Sequence, residues 1–400
     1  MRFRWFAAAV VLVATAILLT VMSPALRDDP LSDAGPQPAP TASTSASPSA
    51  SPSPSLGPPG CPVSDKLIPE CGKWWGVAPG ALTSKPPAVA LAEFERKTLR
   101  RADIYHRYHR GDKLFPTPDE IRAARDPKGP RVLLINWKVA WGTTWADVAA
   151  GGQDARIDRL AAHIKKNFPE PFFLAIHHEP ENEVDTDPRS GMTATDYAKM
   201  FRHTVQRLRA KGVTNAVFVM IYMGYQGWGV KDWFDDLYPG DDVVDWIGFD
   251  PYVTANPNAG QHGDFATLVN QTTNPDVWPG FYNWAVAKHP NKPLMLSEWG
   301  VFEYPADPSS KAEIFASVTR QVDAFPALKA LVYFDSPNAP KGDTRVDSSP
   351  AALEAFRAVA AMPLFSIRYP DCPEQPIPGP SGSPSTLPSP VTGARRVSRP

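Results

Sequence analysis

Hydrophobic and polar positions along the chain alternate between two rhythms. Short apolar or β-branched runs fall at 73–80 (KWWGVAPG), 102–109 (ADIYHRYH), 131–138 (RVLLINWK) and 172–179 (FFLAIHHE). Four more follow at 216–224 (AVFVMIYMG), 244–252 (VDWIGFDPY), 293–300 (PLMLSEWG) and 330–336 (ALVYFDS). Between them lie amphipathic stretches such as 88–101, 154–167, 194–212 and 311–322. A last one, 350–362, begins with Pro350, which a helix accepts in its first turn. Strict strand–helix alternation predicts a parallel sheet covered by helices. Eight such units over this length predict an α/β fold of the (β/α)8 TIM-barrel type, for which ~250 residues are typical. An open doubly wound sheet would want G-x-G-x-x-G after an early strand, and WGVAPGALTS (75–84) does not supply it.

The flanks have a different composition. Residues 5–22 form one apolar block preceded by Arg2 and Arg4 and followed by Asp28 and Asp29. Residues 1–25 therefore read as a signal peptide or an N-terminal membrane anchor, and the charge asymmetry puts the remainder outside the cytoplasm. Residues 26–60 are a Pro/Ser/Thr-rich linker and 373–400 a Pro-rich tail, both too poor in apolar surface to pack. The folded unit expected is 61–372, exported and either secreted or tethered through 5–22. A formal net charge of −1 gives no case for nucleic acid as a partner. Cys61, Cys71 and Cys372 sit at the edges of the folded unit. An exported chain keeps disulfides, so one bridge is expected, either Cys61 with Cys71 or Cys372 with one of them. The chain is read as a monomer without metal or cofactor.

In a TIM barrel the chemistry lies at the C-terminal ends of the strands. The second run ends in Tyr108, His109 and Arg110, the third in Asn136, Trp137 and Lys138, and the fourth in His178 and Glu179. The fifth leads to Trp228, the sixth ends in Asp250 and Tyr252, the seventh in Glu298 and Trp299, and the eighth in Asp335. Core packing alone would not sort acids and tryptophans to one rim. Two carboxylic acids on facing strands are the working parts of a glycosidase, one protonating the departing oxygen while the other attacks the anomeric carbon or directs water at it. Indole and phenol rings suit the apolar C–H faces of sugars, so Trp137, Trp228 and Trp299 are expected near the cleft, at least two of them lining it. Glu181 and Glu183 read as solvated loop carboxylates. His106 and His109 point to opposite faces of a strand, which speaks against a shared metal. No G-x-S-x-G, P-loop or H-E-x-x-H is present.

These strand ends resemble the clan A glycoside hydrolases, and more narrowly family 26, whose best-known members are β-mannanases. The resemblance covers about 74–365. It implies Glu179, directly after His178, as acid/base and Glu298 of LSEWG as nucleophile. It also implies Tyr252 of GFDPY as support for the nucleophile, with His178 and Asp250 in the sugar site. The acidic PENEVDTDP (180–188) and the ending YFDSPNA (333–339), which lacks a tryptophan, depart from the mannanase pattern. The implied activity is retaining hydrolysis of a β-linked polysaccharide, β-1,4-mannan first, with mixed-linkage glucan and xylan open. The rival from another class is a non-catalytic carbohydrate-binding barrel, to which the two glutamates would be superfluous.

Overall fold

A computed structural model describes residues 61–367. The 1–25 segment, the linker, the tail and Cys372 lie outside the described residues. Among the described residues no helix is long and apolar enough to cross a membrane.

The eight apolar runs become nine strands. They are β1 (Trp74–Pro79), β2 (Ile104–Arg110), β3 (Val132–Lys138), β4 (Phe172–Ile176), β5 (Ala216–Tyr222), β6 (Trp246–Phe249), β7 (Tyr252–Thr254), β8 (Leu294–Phe302) and β9 (Leu328–Asp335). All pairings among them are parallel. β1 to β6 pair in sequence, β6 pairs with β8, β8 with β9, and β9 returns to β1, so eight strands close into a TIM barrel. The sixth run is split because Pro251 has no N–H to give the ladder. Its second piece, β7, resumes against the upper part of β8, pairing Tyr252 with Gly300.

Side-chain alternation divides the apolar residues into two layers. Trp74, Ile104, Leu134, Phe173, Val219, Trp246, Met295 and Val332 point into the barrel. Their sequence neighbours, among them Trp75, Leu133, Ile135, Leu174 and Leu331, point outward into a larger core beneath the helices. Those helices include Pro87–Thr98, Asp154–Asn167, Ala194–Ala210, Pro308–Gln321 and Pro350–Ala360. Thr193 and Asp196 form a capping box at the start of the longest, which anchors the chain that returns from the end of β4.

The floor of the barrel is sealed by the segment before β1. Cys61 is bridged to Cys71, one of the pairings open from sequence. The loop they close packs Leu67 into the interior layer, and Ile367 joins the same layer. Trp74 and Trp246 donate their indole N–H groups to the carbonyls of Leu67 and Lys66, at 2.8 and 2.7 Å. Trp74 is therefore barrel packing, as is Trp75 on the opposite face.

Candidate active site

The end of β4 is built under backbone strain. His177 and Glu179 both adopt positive φ, 56° and 52°, in the left-handed region that non-glycine residues rarely occupy. The strained segment is gripped from both sides. His177 N–H donates to Trp137 O on β3 at 2.9 Å, and Glu179 N–H to Ile221 O on β5 at 3.0 Å. The reversal turns Glu179 into the barrel mouth and starts the short 3-10 turn Pro180–Glu183. His177 is buried. Its Nδ1 accepts from the Trp145 indole at 3.3 Å, which leaves Nε2–H to donate to Glu183 Oε1 at 3.1 Å.

Glu298 enters the mouth through a bulge. On β8, Leu296 pairs with Leu331 of β9, yet Trp299 pairs with Tyr333, so β8 carries one extra residue there. Ser297 faces the interior, and Glu298 then projects into the mouth, only 6% exposed. Both of its oxygens are held. Tyr108 O–H donates to Oε1 at 2.6 Å and Tyr252 O–H to Oε2 at 2.7 Å. Tyr252 lies across Gly300, where an added Cβ would stand 2.7 Å from its ring, and stacks on Phe302 at 5.4 Å. Tyr108 O–H is also 3.3 Å from His106 Nδ1. Because the phenol proton goes to the carboxylate, His106 is the donor there, in its Nδ1–H tautomer. Asp250 accepts from Ser297 O–H at 2.7 Å, and its second oxygen has no partner. Gly248 makes room for this contact, since a Cβ there would stand 2.6 Å from the Ser297 hydroxyl.

The electrostatics separate the two glutamates. Burial pushes the Glu179 carboxyl well up, and the charges of Glu298 and Glu183 add to the effect. Burial pushes Glu298 up as well, but its two phenol hydrogen bonds pull it back. Glu298 therefore ionises first and Glu179 keeps its proton. Asp250 is pushed well up by burial and by both glutamates. Burial takes the His178 and His106 imidazoles down to about 3, so both are neutral. One nitrogen of His178 and one oxygen each of Asp250 and Glu298 lie within 4.8 Å of one another. These three line one patch of the mouth, and are the described residues best placed to share a cation, in competition with any sugar.

The structure thus gathers His178, Asp250, Tyr252 and Glu298 at one mouth, and Glu298 acts on the carboxyl of Glu179 there. It does not bring the tryptophans with them. Trp137 and Trp299 are 0% exposed and belong to the outer core, which corrects the expectation that they stack on sugars. Trp137 sits one position out of phase with the inward Leu134 and Asn136. Its indole donates to Gly111 O at 3.0 Å and meets Phe115 edge-on. Trp299 is turned outward by the bulge and packs on Tyr333, Phe315 and Phe356. Trp228 is half-buried beside Trp233, with its N–H on Met223 Sδ at 3.1 Å. The solvated reading of Glu181 and Glu183 is also corrected. Glu181 is 1% exposed and accepts from Met223 N–H at 2.8 Å. Burial holds its carboxyl up at about 8. Burial also pushes Glu183 up, but His177 and Lys138, the latter at 2.5 Å, bring it to about 2. Sequence reasoning passed over Tyr108 as a site residue. Its signal was the shared parity of His106, Tyr108 and Arg110 on one inward row.

The model of glycosyl hydrolase family 26 matches residues 186–279, a stretch that holds Asp250 and Tyr252. Endoglucanase H of Acetivibrio thermocellus is 26% identical over 296 residues, which is 72% of this chain and 30% of that protein. The chain thus resembles glycoside hydrolase family 26 over the matched stretch. A β-1,3-xylanase, TXYA, of a Vibrio species is 26% identical over 152 residues, 38% of this chain and 28% of that one. The chain thus spans less than a third of the length of either relative. Among solved structures, a double mutant of the Cellulomonas fimi endo-β-1,4-mannanase is similar in fold, with a TM-score of 0.50 and 20% identity over 73% of this chain and 71% of that one.

Proposed function

We propose that the chain is an exported glycoside hydrolase that cleaves a β-linked polysaccharide with retention, β-1,4-mannan being the first substrate to test. The observation that carries the reading is the division of labour between two carboxyls. Glu298 is held as an anion by two phenols, and Glu179 is held as an acid by burial and by that anion. A protonated Glu179 donates to the glycosidic oxygen while Glu298 attacks the anomeric carbon. The C–O bond to the leaving group breaks as the Glu298 ester forms. Once Glu298 is esterified its charge is gone, the carboxyl of Glu179 falls, and Glu179 takes a proton from the water that releases the sugar. Asp250 and His178, beside Glu298, are placed to bind hydroxyls of the sugar under attack.

A second reading, an endo-β-glucanase, draws support from the relative named Endoglucanase H, whose match covers 72% of this chain. Reducing-sugar release from β-mannan, lichenan and xylan decides between them. Glu298→Ala should abolish turnover of the active substrate while leaving its binding intact. Near-normal activity in that variant would overturn the assignment of the nucleophile.

A further inference from the structure

Outside the mouth, the segment after β5 and the helix Phe281–Lys288 enclose a cavity of about 370 Å³. That volume lies in the range of small-molecule sites. Neither Glu179 nor Glu298 lines it. Trp278 forms part of its wall, 5% exposed, with Phe234 at 5.5 Å and Trp284 at 6.1 Å from its ring. Gly229 makes room for that indole, since a Cβ there would stand 2.5 Å from its ring atoms. The Trp278 indole N–H has no partner among the described residues, and a buried indole N–H ordinarily finds one. Trp75 and Trp299 share that lack, but they are 0% exposed and line no part of this cavity. The charged residues of the lining are Lys231, Lys288, Asp232 and Asp235, two cations and two anions. Asp235 is set in place by the Trp284 indole at 3.2 Å and by Lys288 Nζ at 2.8 Å, one on each oxygen.

We infer that this cavity is a second carbohydrate site, which takes a neutral glycosyl unit of the polysaccharide outside the cleavage site. The idle indole donor needs an acceptor small enough to enter, and a sugar hydroxyl oxygen is one. The balanced charges gather donors and acceptors without favouring an ion of either sign, which suits a ligand with many hydroxyls and no charge. Val277, 65% exposed, and Pro279 supply apolar surface for the C–H face of the ring. The cavity adjoins the catalytic rim along the chain. Tyr225, 42% exposed, follows the end of β5, and Trp228, next to Gly229, meets Trp233 at 5.9 Å. Aromatic surface therefore continues from the rim to the cavity, and a polymer held in one can extend toward the other. This rests on the polysaccharide reading above and deepens it by giving the polymer a hold that no catalytic residue provides.

The test uses the full chain with turnover stopped by Glu298→Gln and its indole nitrogens isotopically labelled for NMR. The probes are mannohexaose, xylohexaose and a hexasaccharide of mixed-linkage β-glucan. The indole resonance that Trp278→Phe removes should shift progressively with at least one of them. Ala287→Trp, which fills the cavity from an exposed position on its helix, should weaken that response about tenfold or more. Because Ala287 is exposed, this variant reads the cavity without disturbing the core. A Trp278 resonance that stays still with every probe, or a response that Ala287→Trp leaves unchanged, would overturn the site. Cleavage of mannan, lichenan or xylan by the unmodified chain tells that failure apart from failure of the hydrolase reading.

Discussion

Glu181→Gln should stabilise the protein, and increasingly so as pH rises. Glu181 is buried beside the end of β5, and its second oxygen has no hydrogen-bond partner. Burial raises its carboxyl from 4.5 to about 8. Between those values the native state holds a proton that the unfolded chain releases, so stability falls as pH rises through that window. At ~1.4 kcal/mol per pH unit, the loss by pH 7 is ~3 kcal/mol. Glutamine removes this term, because its carbonyl can accept the Met223 N–H in place of Oε1 without titrating. Thermal unfolding of both forms at intervals from pH 4.5 to 8 measures the effect. The two melting curves should coincide near pH 4.5 and separate by roughly 5 °C at pH 7. A separation independent of pH would show that Glu181 does not carry the proton, and the reasoning from its burial would fail.

Removing the phenol that donates to Glu298 Oε1, by Tyr108→Phe, should raise the carboxyl of this proposed nucleophile and move the acidic limb of the kcat/KM profile to higher pH, with a loss of about tenfold at the optimum. An unmoved limb would deny Tyr108 any hold on Glu298 in the reaction. Glu179→Ala should be slow on natural substrate but recover with activated leaving groups and with azide, and the first-formed sugar of the unmodified enzyme should keep its anomeric configuration by NMR. An inverted first product sinks double displacement. Trp299→Ala should destabilise the fold by ~3–5 kcal/mol, as expected for emptying a packed core site. Trp228→Ala should leave the melting temperature nearly unchanged, and equal shifts from the two would contradict their different burial.

The barrel was legible because its strands are covered on both faces and so stand out as apolar runs. The interruption of the sixth run was marked by Pro251 but not by its hydropathy. Side-chain direction was harder to read. Trp137 could have been turned outward by counting twos from Leu134 and Asn136. Counting twos fails at Trp299, because nothing in LSEWG announces the extra residue that flips its parity relative to Met295. Burial of Glu181 was hidden for a related reason. Charged residues after a strand are mostly solvated, and the positive φ of Glu179, which folds the next turn back toward Met223, has no glycine to signal it. The carboxyl pair and Tyr252 were accessible through family resemblance. Tyr108 required the geometry, since only the closed barrel brings β2 opposite the end of β8.

The disulfide-closed loop does more than plug a hole. Cys61 and Ile367, where the described chain starts and stops, share the layer beneath Trp74 and Trp246. The base of the cup is therefore closed by segments from both ends of the barrel, while Glu179 and Glu298 open from its brim. A long polymer lying across that brim would meet neither the disulfide nor the plug it closes.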